Sequence, residues 1–302
     1  MPPGAATGLS VLVPVYQWEV GALVRALRAQ VSDWPGPVEI QLLDDGSSAE
    51  ICQRNRPLGD LPGVRYRELP QNVGRAAIRN ELATTAQHEW LLLLDNDSLL
   101  PDARFLARYS ATCPQAAVLI GGTTYEAAPP ADPALRLRWR YGREREARPA
   151  AVRQAAPYAQ LTINNALVRA DIFRRFPLDE LLSGYGHEDS QFGAELAAAG
   201  VAVLHIDNPV LHDGLEPAAI FLAKSDQAVR NLARVHRENE LGINSRLLQT
   251  ARRLQRLGVV RLARVALGAA APTLRRQLLS ANPNLRALDL LKLHWLLREL
   301  AD

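Results

Sequence analysis

Apolar positions in the first part of the chain fall into short runs separated by polar punctuation. Leu9 to Val15 (LSVLVPV) is a continuous apolar stretch of strand length, after which Leu23, Leu27 and Val31 recur at helical spacing. Val38 to Leu43 (VEIQLL) reads as a second strand and stops at Asp44-Asp45-Gly46-Ser47-Ser48. Val64 to Leu69 alternates as a strand, Val73 to Ala86 has helical spacing, and Trp90 to Leu94 (WLLLL) is another apolar run, ended by Asp95-Asn96-Asp97. Strands alternating with helices predict an α/β fold with a mostly parallel sheet and helices on both faces. Ligands of such sheets gather beyond the carboxyl ends of the strands, the edge to which two of these runs deliver acidic clusters.

The pattern loosens after Val118 to Thr124. AAPPADP is a loop, and Arg136 to Arg153 has no clear period, as expected of a mobile lid or an acceptor-binding insertion. Leu161 to Val168 restores order, followed by a helical Asp171 to Phe176 and a polar, glycine-containing stretch, Ser183 to Asp189, entering a helix that runs to Ala199. Val201 to Ile206 and Pro209 to His212 are short strands. From Glu216 onward the chain is helical in character, with breaks expected near Gly242, Gly258, Pro272 and Pro283. Two domains are predicted, 1–220 and a helical extension, 221–302.

Composition narrows the class. With 302 residues, 48% hydrophobic and 22% charged, the chain has ample material for a core, which excludes disordered, collagenous and coiled-coil proteins. Cys52 and Cys113 stand far apart with no CxxC, so neither a disulfide framework nor a structural zinc site is expected. No apolar run approaches the roughly 18 residues of a membrane span, and MPPGAATG lacks the basic start of a secretory signal. A cytoplasmic location is therefore expected.

The net charge of +3 conceals an asymmetry. Residues 1–220 hold 20 Lys+Arg against 26 Asp+Glu, a net of −6, whereas residues 221–302 hold 15 against 6, a net of +9. Nucleic acid is not the expected partner, because the basic segment has few interleaved aromatics and the larger domain is acidic. In the extension, Leu247, Ala251, Leu254, Gly258, Leu262 and Val265 share one helical side, with Arg252, Arg253, Arg256, Arg261 and Arg264 largely on others. Such a basic amphipathic helix either packs on the larger domain or makes peripheral contact with an anionic inner membrane.

Several clusters carry chemistry. Asp44-Asp45-Gly46-Ser47 offers carboxylates to a base and ribose, and is equally good chemistry for an Asx turn with a helix N-cap. Asp95-Asn96-Asp97, behind four leucines, points two hard carboxylates to opposite sides, suited to Mg2+ or Mn2+ carrying a diphosphate. Glu188-Asp189 opens a helix, where acids are stabilised by the dipole and where one could act as a general base. His212 is either structural or a ligand, and Asn164-Asn165 either a turn or a pair of hydroxyl-binding amides.

The order of these clusters says more than any one of them. LSVLVPVY, LLDDGSS, Asn72-Val73-Gly74-Arg75-Ala76-Ala77-Ile78-Arg79-Asn80, LLLLDND, GYGHED and LHDG together resemble family 2 glycosyltransferases of the GT-A fold over about residues 8–215. The resemblance implies a nucleotide-base pocket at Pro14, Val15 and Asp45, with Asp44 beside it. It lays Gly74, Arg75 and Asn80 along the nucleotide-sugar. Asp97 becomes the metal ligand of the D-x-D, completed by His212, with Asp95 and Asn96 nearer the ribose or sugar. Asp189 becomes the catalytic base, with Glu188 its rival, since adjacent acids titrate as a coupled pair. Asn164, Asn165, Tyr185 and Gly186 are candidate acceptor contacts. Unlike polymerising members, Asp189 is followed by Ser190-Gln191-Phe192-Gly193 with no spanning segment, which favours a soluble enzyme adding one residue at a time.

The implied activity is metal-dependent inverting transfer from a nucleotide-sugar, a UDP-sugar first, to a glycan or lipid-linked acceptor, with Mn2+ or Mg2+ as cofactor, in cell-surface polysaccharide synthesis. A sugar-1-phosphate nucleotidyltransferase is the alternative enzyme, but it calls for a glycine-rich basic loop after the first strand, which VPVYQWEVGAL lacks. A non-catalytic membrane-surface protein on the same fold is the third reading, and Asp97 and Asp189 argue against it.

Overall fold

A computed structural model describes residues 8–180, 188–238 and 245–300. The chain divides into two compact units. The first comprises, among described residues, 8–124, 147–180 and 188–214, and the second Tyr125–Glu146 with 215–238 and 245–300.

In the first unit the chain runs through β1 (Leu9–Val15), α1 (Gly21–Arg28), β2 (Val38–Asp44), α2 (Ala49–Asn55), β3 (Val64–Glu68), α3 (Arg75–Thr85), β4 (Trp90–Leu94), β5 (Ser98–Leu99), α4 (Phe105–Thr112), β6 (Val118–Ile120) and β7 (Thr123–Thr124). The second unit contributes α5 (Arg136–Tyr141). The chain then returns to the first through α6 (Ala150–Gln154), β8 (Asn165–Arg169), α7 (Ala170–Arg175), α8 (Glu188–Ala198), β9 (Val203–His205) and β10 (Val210–His212). Helices α9 (Ala218–Glu238), α10 (Arg246–Arg256), α11 (Val260–Leu278) and α12 (Leu285–Glu299) complete the second unit.

Seven strands form one sheet in the order β3-β2-β1-β4-β8-β6-β9. All run parallel except β8, which is antiparallel to both β4 and β6. The expected mostly parallel sheet is therefore present, with a single reversal. In that reversal β8 begins at Asn165 opposite Leu94 and runs back along β4 to Arg169 opposite Trp90.

Strands β1 and β4 are buried on both faces, which is why they read as unbroken apolar runs. Leu92 and Leu94 of β4 face a core with Leu23 and Leu27 of α1 and Phe105 and Tyr109 of α4. Leu91 and Leu93 face the other core, with Ile78 and Leu82 of α3, Phe173 of α7 and Phe192 of α8. Pro14 lacks an N–H for the ladder, but the β1–β4 pairing ends at Leu12, so it removes no bond on that side. A second, three-stranded sheet, β5-β10-β7, places His212 opposite Ser98.

A buried polar brace holds the strand ends together. The Asn165 amide donates to the carbonyls of Gly122 (2.9 Å) and Asn208 (2.8 Å) and its oxygen accepts from Tyr109 Oη at 2.8 Å. The segment expected to be irregular, Arg136 to Arg153, is instead pinned by its arginines. Arg153 is buried and donates to the carbonyls of Ile120, Gly121, Ile206 and Arg148. In the second unit Arg138 lies between the rings of Tyr125 and Phe221, and Arg140 donates to Pro283 O at 2.8 Å.

The second unit has its own core, with Leu222, Leu248, Leu288, Leu291 and Leu296 at its centre. The break expected at Gly258 is present, with φ +69° between α10 and α11, but α11 runs through Pro272. Pro272 is on the exposed side, where the carbonyl it deprives of a partner can be hydrated. Gly242 lies outside the described residues.

Asn165→Ala removes the 2.8 Å bond from the Tyr109 hydroxyl and the amide donations to the Gly122 and Asn208 carbonyls, all in a fully buried site. It is expected to lower unfolding stability by about 2–3 kcal/mol, read by urea denaturation, and a loss below about 0.5 kcal/mol would contradict this account of the brace.

Candidate active site

The two acidic tips behave differently. Asp44 is fully buried and inward-looking, its Oδ1 accepting from the Ser47 N–H at 2.7 Å and its Oδ2 from the Tyr66 hydroxyl at 3.2 Å. This is the turn chemistry that Asp-Gly-Ser allows. Asp45 accepts from the N–H groups of Val73 (2.6 Å) and Gly74 (3.2 Å), which hooks the entry of α3 onto the end of β2. Burial raises the Asp45 carboxyl, and those two backbone donors pull against it. Gly74 adopts φ +94°, a backbone setting that favours glycine, and so starts α3 beside the strand tips. Val15 is buried within β1, and Pro14 is half-buried at its end.

Arg75 and Arg79 lie one turn apart on α3 and both reach the end of β4. Arg79 is 3% exposed, ion-pairs with Asp95 and also donates to Arg75 O at 3.0 Å. Burial works to raise the Asp95 carboxyl, but the guanidinium groups of Arg79 and Arg75 together outweigh it and hold it below the usual range. Arg75 sits between two acids, with its Nε 3.1 Å from Glu188 Oε1 and its Nη2 3.9 Å from Asp95 Oδ2. Arg79 is the residue that sequence reasoning missed, although its position four after Arg75 on a predicted helix puts both on one face.

Asp189 is the unbalanced member of this group. Desolvation and then the adjacent Glu188 carboxylate push its carboxyl up from an ordinary 3.8 to about 7, against the smaller pull of Arg75 and Arg79. Its Oδ1 is buried with no hydrogen-bond partner among the described residues. Glu188 is buried and paired with Arg75, so the two adjacent acids are physically distinct.

On the other side of Asp95, Asp97 meets His212. The two-residue β5/β10 ladder sets His212 Nδ1 3.3 Å from Asp97 Oδ2. Asp97 Oδ1 is buried with no hydrogen-bond partner among the described residues. Gly214 permits this close approach, since a Cβ there would fall 2.2 Å from Asp97 Oδ2. Among the described residues no group of three or more acids, histidines or cysteines is arranged to hold a metal. An unpartnered carboxylate oxygen beside an imidazole nevertheless fits a hard divalent ion whose remaining positions are filled by diphosphate oxygens and water.

The remaining candidates are placed as follows. The Asn96 amide donates to Tyr16 O at 3.1 Å and lines a cavity of about 310 Å³ with Trp18, Glu19 and Asp213. Asn80 is engaged by Leu178, accepting from its N–H at 3.0 Å and donating to its carbonyl at 2.8 Å, and by Glu180 at 2.8 Å. Asn164 donates to Thr123 Oγ1 at 2.7 Å, while Asn165 is fully buried in the brace and offers nothing to an acceptor. Tyr185 and Gly186 lie outside the described residues.

A two-sided α/β sheet with one reversed strand and a cluster of acids beyond the end of β4 is the GT-A glycosyltransferase fold. Residues 10–163 match the model of Glycosyl transferase family 2, and the chain belongs to that family. The mannosyltransferase PcManGT from Pyrobaculum calidifontis, solved with GDP-Man and Mn2+, matches at a TM-score of 0.56 and 17% identity, over 94% of this chain and 78% of its own. Residues 1–349 of S. aureus TarS match at 0.52 and 16%, over 95% and 89%, and that protein has also been solved with UDP-GlcNAc. In a longer TarS structure the match spans 41% of that chain. At these identities the likeness is one of fold. No curated protein matches the sequence.

The Asp189 carboxyl implies a stability cost with a definite sign. It ionises near 3.8 when unfolded and near 7 when folded, so folding takes up a proton and is penalised increasingly from pH 4 to 7. Asp189→Asn should therefore be more stable than the natural protein at pH 8, by on the order of 1–3 kcal/mol, with the gain vanishing below pH 4. Chemical denaturation at the two pH values measures this, and an equal difference at both would refute it.

Proposed function

We propose that the protein is a metal-dependent inverting glycosyltransferase. It moves a hexosyl group from a nucleotide-sugar, a UDP-sugar first, to a hydroxyl of a glycan or lipid-linked acceptor in cell-surface polysaccharide synthesis. The observation that carries this reading is the divergence of carboxyl groups within one cluster: Asp95 is held ionised by two arginines, while Asp189 is pushed to about 7. Neighbouring acids driven apart in this way are suited to separate tasks, one as fixed charge and one as proton acceptor.

In the proposed reaction the acceptor hydroxyl attacks the anomeric carbon as the bond from that carbon to the diphosphate oxygen breaks, with inversion. Asp189 takes the hydroxyl proton, a role worth on the order of 100-fold or more in rate. Glu188 keeps the Arg75 guanidinium beside the base. Arg75 and the Gly74 turn border the donor, with Asp45 fixing that turn. Asp97 and His212 would hold Mn2+ or Mg2+, the imidazole favouring Mn2+, and such an ion supplies positive charge to the departing diphosphate. Among the described residues no helix is long and apolar enough to cross a membrane. On this reading the protein works in the cytoplasm, in peripheral contact with the inner membrane face through residues 221–302.

Purified protein incubated with Mn2+ and a panel of UDP-, GDP- and dTDP-sugars should release nucleoside diphosphate. Asp97→Ala and Asp189→Asn should each reduce release by about 100-fold or more, and no metal-dependent turnover or binding across the panel would defeat the proposal. Because the base must be ionised, kcat/KM is expected to fall tenfold per pH unit below about 7. A profile flat from pH 5.5 to 8 would exclude Asp189. Gly214→Ala should weaken Mn2+ binding by about 10-fold, as followed by titration calorimetry, because its methyl group displaces the Asp97 carboxylate.

A further inference from the structure

The apolar residues of the C-terminal unit do not share one face. On α10, Leu248 and Ala251 are buried, and Leu247 and Leu254 pack against the same core. After the turn at Gly258 the chain presents different residues outward. Leu257, Leu262 and Val265 are 64%, 70% and 72% exposed, and Ala266, Ala269 and Pro272 continue the exposed side of α11. The opposite side of α11, through Ala263, Leu267, Ala271 and Leu274, packs onto the core. Leu262 and Val265 thus belong to an outward apolar stripe that none of the described residues of this unit covers.

Charge identifies what would cover it. Between Glu240 and Asp289 the sequence contains nine arginines, no acid and no aromatic residue. Arg256 and Arg261 flank one end of the stripe and Arg275 and Arg276 the other, all exposed and none in an ion pair among the described residues. A second copy of the chain would bring two such uncompensated sets together, which is repulsive. Single-stranded nucleic acid would find no ring to stack on. An anionic lipid surface satisfies both components, taking the apolar stripe at the acyl boundary and the guanidinium groups at the phosphates.

We infer that the outward face of α11 is a docking surface for anionic phospholipid, with Leu262 and Val265 inserted and the flanking arginines on headgroup phosphates. The inference rests on the peripheral attachment proposed above and is independent of the catalytic reading.

The test is flotation of the full chain with phosphatidylcholine vesicles and with mixed phosphatidylcholine–phosphatidylglycerol vesicles. Binding to the mixed vesicles is expected to be about 10-fold or more tighter, and to weaken at about 0.5 M salt. Leu262→Glu with Val265→Glu should abolish it, and Arg256→Gln with Arg261→Gln should reduce it about 10-fold or more. Equal binding to both vesicles, or unchanged flotation of the Leu262/Val265 variant, overturns the inference. A wild-type dimer that the same variant converts to monomer in light scattering also overturns it, assigning the face to a second copy. Nucleotide-sugar turnover measured without vesicles separates the readings: its failure with normal flotation defeats only the proposed catalysis, and the reverse defeats only the lipid surface.

Discussion

The arrangement beyond the sheet depends on one buried charge pair. Arg79 is almost wholly buried, and its guanidinium meets the Asp95 carboxylate at the tip of the central strand. Removing either partner from such a pair leaves an uncompensated buried charge, at about 3–5 kcal/mol. The pair also fixes the division of labour around it. With Arg79 committed to Asp95, Arg75 one turn earlier is shared between Asp95 and Glu188. Asp189, with its Oδ1 buried and Glu188 adjacent, forms no ion pair among the described residues, and desolvation first and the like charge second raise its carboxyl.

The central strands were legible because burial on both sides leaves an unbroken apolar signature, and the acidic residues that end β2 and β4 are where the chain leaves the sheet. The resemblance in the order of clusters placed Asp97 and His212 together although they are far apart in sequence, and the β5/β10 ladder supplies the contact. Other features could not be read so directly. The reversal of β8 leaves no mark on the strand's own residues, which form a buried run like those of β4 and β6 beside it. Ser98–Leu99 is too short a strand to show a period. Arg79 sits on a predicted helix face, but only the fold reveals that this face meets Asp95.

Arginine carries two kinds of duty in this chain, and sequence alone does not separate them. Arg136 to Arg153 looked like a loose basic insertion, yet Arg138, Arg140 and Arg153 are internal clamps on rings and carbonyls. Beyond the local acids Glu144 and Glu146, the rings and most of the carbonyls they engage lie on other segments, which is why no local periodicity betrayed them. The exposed arginines around α11 have charge but no such partners among the described residues, and that contrast gives the stripe its meaning.

The reversed strand has a consequence for how this architecture can change. The family match ends at residue 163, just before β8 begins. Asp45, Gly74, Arg75 and both acids of the D-x-D lie before that boundary, whereas Asp189 and His212 lie after it. The cleft is therefore assembled from two stretches of chain that meet only through folding. A change confined to the later stretch could replace Asp189 or His212 while residues 10–163, which carry the family match, stayed the same. The matched stretch and the residues that face it from the later stretch are thus free to vary independently.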